Sequence, residues 1–164
     1  MSRLKYLILL AALLGLLACS ALPALALPTA THPVPTADAA LAQNHLKWHN
    51  LNVTHYRFDL DVRCFCAFTG QMPLTIEVRD GQVVSETDKT GQPVAPQFKD
   101  AFGKYDTIEK LFALLDAAKN GGADLVEITY DPQYDFPQSA YIDYMANAAD
   151  DENRLTITHF EALP

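Results

Sequence analysis

The sequence predicts an α+β fold: a two-layer sandwich in which an antiparallel sheet of five to six strands carries one main helix and a short N-terminal helix. Runs with an apolar residue at every second position occur in two groups of three. Between the groups lies a helix with an apolar stripe of period 3.6, and a shorter helical segment precedes the first group. Hairpin-linked strands with a helix laid across them bury one sheet face and leave the other to water.

The first part of the chain stands outside this pattern. Arg3 and Lys5 precede the apolar run YLILLAALLGLLA, which is too short and too soon followed by proline and threonine to span a membrane. Residues 1–18 therefore read as an export signal. LLAC, Leu16 to Cys19, resembles the lipobox at which bacterial lipoproteins are cut and lipidated on the cysteine, although Leu17 is bulkier than usual there. ALA, Ala24 to Ala26, offers an alternative cut after Ala26, with Pro23 breaking the helix before it. The first cut anchors the protein by a lipid on Cys19 and the second releases it. Residues 19–38, with LPTATHPVPTAD at their end, are rich in Pro, Thr and Ala and form an extended tether.

One globular domain is expected over residues 39–164. ALAQNHLKWHNL places Leu41, His45, Trp48 and Leu51 on one side of a short helix, with Trp48 as a core anchor. HYRFDLDVRCFC then alternates. Tyr56, Phe58, Leu60, Val62, Cys64 and Cys66 face the core, and Arg57, Asp59, Asp61 and Arg63 face water. Leu74, Ile76 and Val78 form a second run, Asp80-Gly81 a tight hairpin turn, and Val83 to Glu86 the returning strand. Thr87 to Tyr105 has no clear period and reads as a long loop with a short turn near Phe98.

DTIEKLFALLDAAKNGG is the main helix. Asp106 is its expected cap with Glu109 reciprocating, Ile108, Leu111, Phe112, Leu115 and Ala118 its buried stripe, and Gly121 its end. DLVEITY, SAYIDYM and RLTITHF complete the sheet.

Trp48, the YRF strand ending in CFC, IEVRDGQVVS, TGQPV, YDTIEKLFALLDAA, ITYDPQYDFP and IDYMANAADDE resemble, in order and spacing, a bacterial family labelled domain of unknown function 6174. The pieces run from about Trp48 to the C-terminus, and they are specific only as a set. One departure is Asp135, where the family's YDP-x-x-GYP has glycine; Asp tolerates the left-handed conformation better than most residues. The resemblance implies an exported globular domain, free or lipid-anchored, and carries no assigned chemistry.

Composition excludes several classes. The chain has 12 basic and 20 acidic residues, a net charge of −8. Removing residues 1–18 takes Arg3 and Lys5 and brings the charge to about −10. Such a surface repels nucleic acid and anionic lipid, so contact with a membrane is expected only through an N-terminal lipid anchor. Ser85 and Ser139 lie outside any nucleophile elbow, and neither a phosphate loop nor a dinucleotide fingerprint is present. No cofactor is expected.

Cys64 and Cys66 are the only cysteines besides Cys19. In an oxidising compartment a local disulfide is the expectation, closed by a bend of the strand end, and its small ring is also the argument for a redox role. Free buried thiols and half a metal site remain as alternatives. His45, His49, His55 and His159 have no spacing that forces convergence, although His45 and His49 stand one helical turn apart. Asp131, Asp135, Asp143 and Asp150 to Glu152 lack the spacing of a calcium loop and read as turn caps. Tyr130, Tyr134, Phe136, Tyr141 and Tyr144 crowd one segment, either as a contact patch or as a second small core beneath the N-terminal helix.

The function expected is a non-catalytic cell-envelope binding or accessory module, a monomer, whose partner is an envelope protein or a glycan. The alternative is a thiol-active envelope protein using Cys64 and Cys66 for redox or metal chemistry.

Overall fold

The computed structural model describes residues 37–164. The expected signal segment, Cys19 and all but the last two residues of the expected tether lie outside these. Helix α1 (Ala37–Leu51) leads into strands β1 (His55–Arg63), β2 (Leu74–Arg79) and β3 (Gln82–Thr87). A one-turn helix α2 (Lys99–Phe102) and the main helix α3 (Ile108–Asn120) follow, then β4 (Leu125–Tyr130), β5 (Pro137–Asp143) and β6 (Asn153–Ala162). The six strands form one antiparallel sheet in the order β3-β2-β1-β6-β5-β4. The fold is thus α+β as expected, and the two three-stranded meanders join where β6 pairs with β1.

Alternation sets the faces. Tyr56, Phe58, Leu60 and Val62 of β1, Leu74, Ile76 and Val78 of β2, Ala140 and Ile142 of β5, and Leu155 and Ile157 of β6 are all buried. The α3 stripe of Ile108, Leu111, Phe112, Leu115 and Ala118 is buried with them. At the hairpin, Asp80 (φ 50°) and Gly81 (φ 74°) supply the two positive angles that a two-residue turn between Arg79 and Gln82 requires. Position 121 takes glycine because a Cβ there would sit 2.7 Å from the Ala117 carbonyl oxygen, and Gly122, at φ 81°, turns the chain away from α3.

Four local expectations change. The cap of α3 is Thr107, whose hydroxyl accepts from the Lys110 amide at 3.2 Å, while Asp106 pairs with the Lys110 ammonium. Glu109 does not reciprocate the cap. Its carboxylate accepts from the Trp48 indole (2.9 Å) and the Tyr56 hydroxyl (3.1 Å), and that hydroxyl accepts from the Ile108 amide (3.1 Å). One carboxylate thereby ties α1, β1 and α3 together, and Trp48 and Tyr56 are more tightly buried than a half-amphipathic pattern implies. On α1 only Leu41 and Trp48 of the expected stripe are buried; His45 stacks on Phe112 and Leu51 is exposed. The long loop has its expected short turn, a 3-10 turn at Pro96–Phe98, and in addition contains α2, which packs Phe102 against Phe68. Finally, β1 stops at Arg63 rather than running to Cys66.

The centre of the sheet carries a β-bulge. Arg57 opposes Glu161 and Asp59 opposes Thr158, so His159 and Phe160 together face Phe58 alone. His159 takes a positive φ of 51°. The extra residue reverses the alternation of β6, turning Phe160 inward and His159 outward.

Candidate functional site

Phe160, once turned inward, meets Phe136 (4.5 Å between ring centroids), Tyr134 (4.8 Å), Tyr56 (5.6 Å) and Trp48 (5.9 Å). This is the small aromatic core beneath α1, and it divides the expected contact patch. Phe136 is 1% exposed and cannot meet a partner. Tyr130 and Tyr134 pack against the core, and burial pushes the Tyr130 phenol up from its ordinary pKa. Tyr141 lies on the opposite face of the sheet, and Tyr144 stands beyond the end of β5. The five residues therefore do not form one surface. The cause is register: Pro137, Ala140 and Ile142 face the core, so Tyr141 faces away from Phe136's side.

Three of the acidic turn residues have defined partners, two of them in their own turns. Asp131 accepts from the amides of Gln133 (2.9 Å) and Tyr134 (2.8 Å), Asp143 from the Met145 amide (3.1 Å), and Asp135, at φ 59°, from the Lys47 ammonium (2.8 Å). Among the described residues no three His, Cys, Asp or Glu side chains are grouped to hold a metal ion.

What remains is the face of the sheet away from the helices. Register fixes its rows. Arg63 of β1 opposes Arg154 of β6, which opposes Tyr141 of β5, which opposes Glu127 of β4. The next row is Asp61, Thr156, Ser139 and Thr129, with Ser139 and Thr129 hydroxyls 2.6 Å apart. Two open recesses cross these rows. One, about 460 Å³, is bounded by Arg63, Phe65, Tyr141, Asp150, Glu152 and Arg154. The other, about 570 Å³, lies over Thr129, Ser139 and Thr156. Both are walled by Tyr141 and Arg154, so the two recesses adjoin at that pair and together make up a furrow that touches four strands.

Tyr141 and Arg154 are coupled, the guanidinium carbon lying 5.0 Å from the ring centroid. Desolvation, followed by the nearby Glu152 and Asp143, raises the Tyr141 phenol pKa, so the ring stays neutral. At the furrow's end Cys64 and Cys66 bond at 2.04 Å with their Cα atoms 5.2 Å apart. Both sulfurs pack partly against the core, and the residue between them, Phe65, is 84% exposed. A three-residue ring thus presents an aromatic side chain to water beside two arginines.

A second feature of this face was not visible in the sequence. His159 Nδ1 donates to Asp59 Oδ2 (2.9 Å), and Thr75 donates its hydroxyl to Asp59 Oδ1 (2.7 Å). The carboxylate fixes the imidazole and leaves Nε2 toward solvent. No hydroxyl or thiol among the described residues bonds to Nε2, and Thr75 sits on the carboxylate, the wrong end for a nucleophile activated by the ring. The arrangement orients a histidine without completing a triad.

Residues 40–162 match a family described as one of unknown function (DUF6174), and the chain belongs to that family. Neither a curated protein nor a solved structure matches it.

Proposed function

Since membership of this family fixes no chemistry, we propose from the chain's own features that it is an exported, non-catalytic binding module whose ligand lies across the open face of the sheet. The observation that carries this reading is the furrow walled by Tyr141 and Arg154, ending at the exposed Phe65. Exposed aromatic and arginine side chains around a concave surface are the usual anchors of recognition. Export is supported by the apolar run after Arg3 and Lys5 and by a cysteine pair suited to an oxidising compartment. Anchoring through Cys19 is the preferred form of it.

The test is site-specific photocrosslinking of the full chain in an exporting bacterium. A benzophenone side chain replaces Thr156 on the open face or Gln43 on the exposed side of α1. Adducts from Thr156 and none from Gln43 are expected; adducts from Gln43 alone, or from neither, refute the proposed face. The thiol-active alternative draws on the Cys64–Cys66 bond at an exposed turn. A reduction potential below about −300 mV, with no turnover in a disulfide-reduction assay, removes it.

A further inference from the structure

The furrow holds charges of both signs, Arg63 and Arg154 standing beside Asp150, Glu152 and Glu127. The chain is acidic overall, yet Arg63 and Arg154 are direct partners across β1 and β6, both on the open face. Directly opposed side chains have Cβ atoms roughly 5 Å apart, and like charges so placed are destabilising. Arg63 is partly compensated, its Nε and Nη2 donating to Asp61 Oδ2 at 3.1 and 2.9 Å. Arg154 makes no ion pair with any described carboxylate, although Asp150 and Glu152 border the same recess; its only contact of this kind is the Tyr141 ring. Arg63 and Arg154 therefore border one recess from neighbouring strands, and an oxyanion entering it is offered two parallel N–H donors by Arg154 and the N–H groups of Arg63 that Asp61 does not engage.

The other walls narrow the ligand. Phe65 offers an aromatic ring to solvent within the same recess, a surface that stacks on the C–H face of a sugar ring. Asp150 and Glu152 are acceptors for hydroxyl groups, and the hydroxyls of Ser139, Thr129 and Thr156 continue the furrow. Cations for one carboxylate, carboxylates for several hydroxyls and an apolar platform between them match a single chemistry. We infer that the furrow binds a saccharide carrying a carboxylate, with the sugar acid held by Arg63 and Arg154 and its ring on Phe65. This rests on the open face being the binding surface and names the class of ligand it takes. An acidic peptide shares the charge but gives Asp150 and Glu152 no hydroxyls to engage.

The experiment uses the processed full chain, isotope-labelled and purified from an exporting host, with amide shifts followed by NMR. Three probes are titrated: a uronic-acid oligosaccharide, the same oligosaccharide with its carboxyl groups reduced to alcohols, and a glutamate-rich peptide. The uronate is expected to shift the amides of Arg63, Phe65, Tyr141 and Arg154 and to bind at least tenfold more tightly than the reduced sugar. Arg154→Gln loses about tenfold, and Arg154→Lys, which keeps charge but not the fork, loses an intermediate amount. Arg57→Gln, on the same face but paired with Glu161 at the far end of β1, leaves affinity unchanged. Equal binding of the reduced sugar, preference for the peptide, or no shift at these amides overturns the inference. Photocrosslinking from Thr156 is read independently, so adducts there with a silent uronate titration remove the sugar-acid cradle alone, whereas absence of adducts removes the binding face as well.

Discussion

Tyr56→Phe isolates the polar hub that joins both helices to the sheet. The substitution keeps the ring, which is 1% exposed, and removes only the hydroxyl, so no cavity of consequence opens. Two hydrogen bonds go. The bond to Glu109 costs little, because that carboxylate is exposed and takes water instead. The Ile108 amide is different: it is the first N–H of α3, it belongs to a fully buried residue, and its acceptor is the Tyr56 oxygen. Leaving such a donor unpaired costs about 1–3 kcal/mol, so about 2 kcal/mol is expected, read as a lower urea midpoint at unchanged m. For a domain of this size that is a fall in Tm of roughly 6–10 °C.

A second readout has its own sign. Burial, reinforced by Glu109, holds the Tyr56 phenol far above its ordinary pKa of 10.0. Its contribution is fully present below the unfolded value and is lost as pH rises beyond it, because the unfolded chain ionises first. At one pH unit above that value the wild type has lost about 1.4 kcal/mol that Tyr56→Phe cannot lose. The gap between the two proteins should therefore shrink from about 2 to about 0.6 kcal/mol between pH 8 and pH 11. A difference below about 0.5 kcal/mol at pH 8, or a gap that is constant with pH, refutes the hub.

Other outcomes follow from single features. Burial first, and Asp106 second, raise the Glu86 carboxyl pKa, and Glu86 Oε1 is buried without a bonding partner. Stability linked to this group is present below the unfolded carboxyl pKa and lost as pH rises through the folded one, so Glu86→Gln should stabilise at pH 7 by less than about 1 kcal/mol, a gain gone by pH 4 in urea titrations. The Cys64→Ser/Cys66→Ser pair opens a three-residue loop and should cost about 1.5 kcal/mol by urea denaturation, leaving the amide spectrum of the sheet intact. His159→Val forces a β-branched residue to φ 51° and should be about 1–2 kcal/mol less stable than His159→Gly in parallel melts.

The elements were legible wherever local pattern decides them. The alternation of β1, the Asp80-Gly81 turn and the α3 stripe each follow from spacing alone. The errors arise where partners distant in sequence or the end of an element override the local pattern. Glu109 satisfies the reciprocal-cap pattern three residues after Asp106, but Trp48 and Tyr56 offer it two buried donors, and a carboxylate that takes them leaves the cap to Thr107. Leu51 fits the stripe of α1 yet lies at the last residue of the helix, where it remains 46% exposed. Aromatic crowding between Tyr130 and Tyr144 looks like a surface in one dimension; the turn held by Asp131 sends Phe136 under α1 while β5 sends Tyr141 to the other side.

The candidate site shows the same rule from the opposite direction. Arg63, Arg154 and Tyr141 become neighbours only through the pairing of β1 with β6 and β6 with β5, and nothing local to any of them announces it. Register is in turn defended by the core, since a one-residue slip of β6 would carry Leu155 and Ile157 to the wet face. The bulge at His159 is what lets both demands be met along one strand. Without the extra residue, Phe160 would point outward and the aromatic core beneath α1 would lose its central ring, or the pairing at the Arg63 end would shift and separate the two arginines. A non-glycine residue is tolerated at positive φ there because Asp59 holds its side chain and Phe160 fixes the backbone beyond it. The strain at His159 and the arginine pair at the far end of β6 are therefore two consequences of one register.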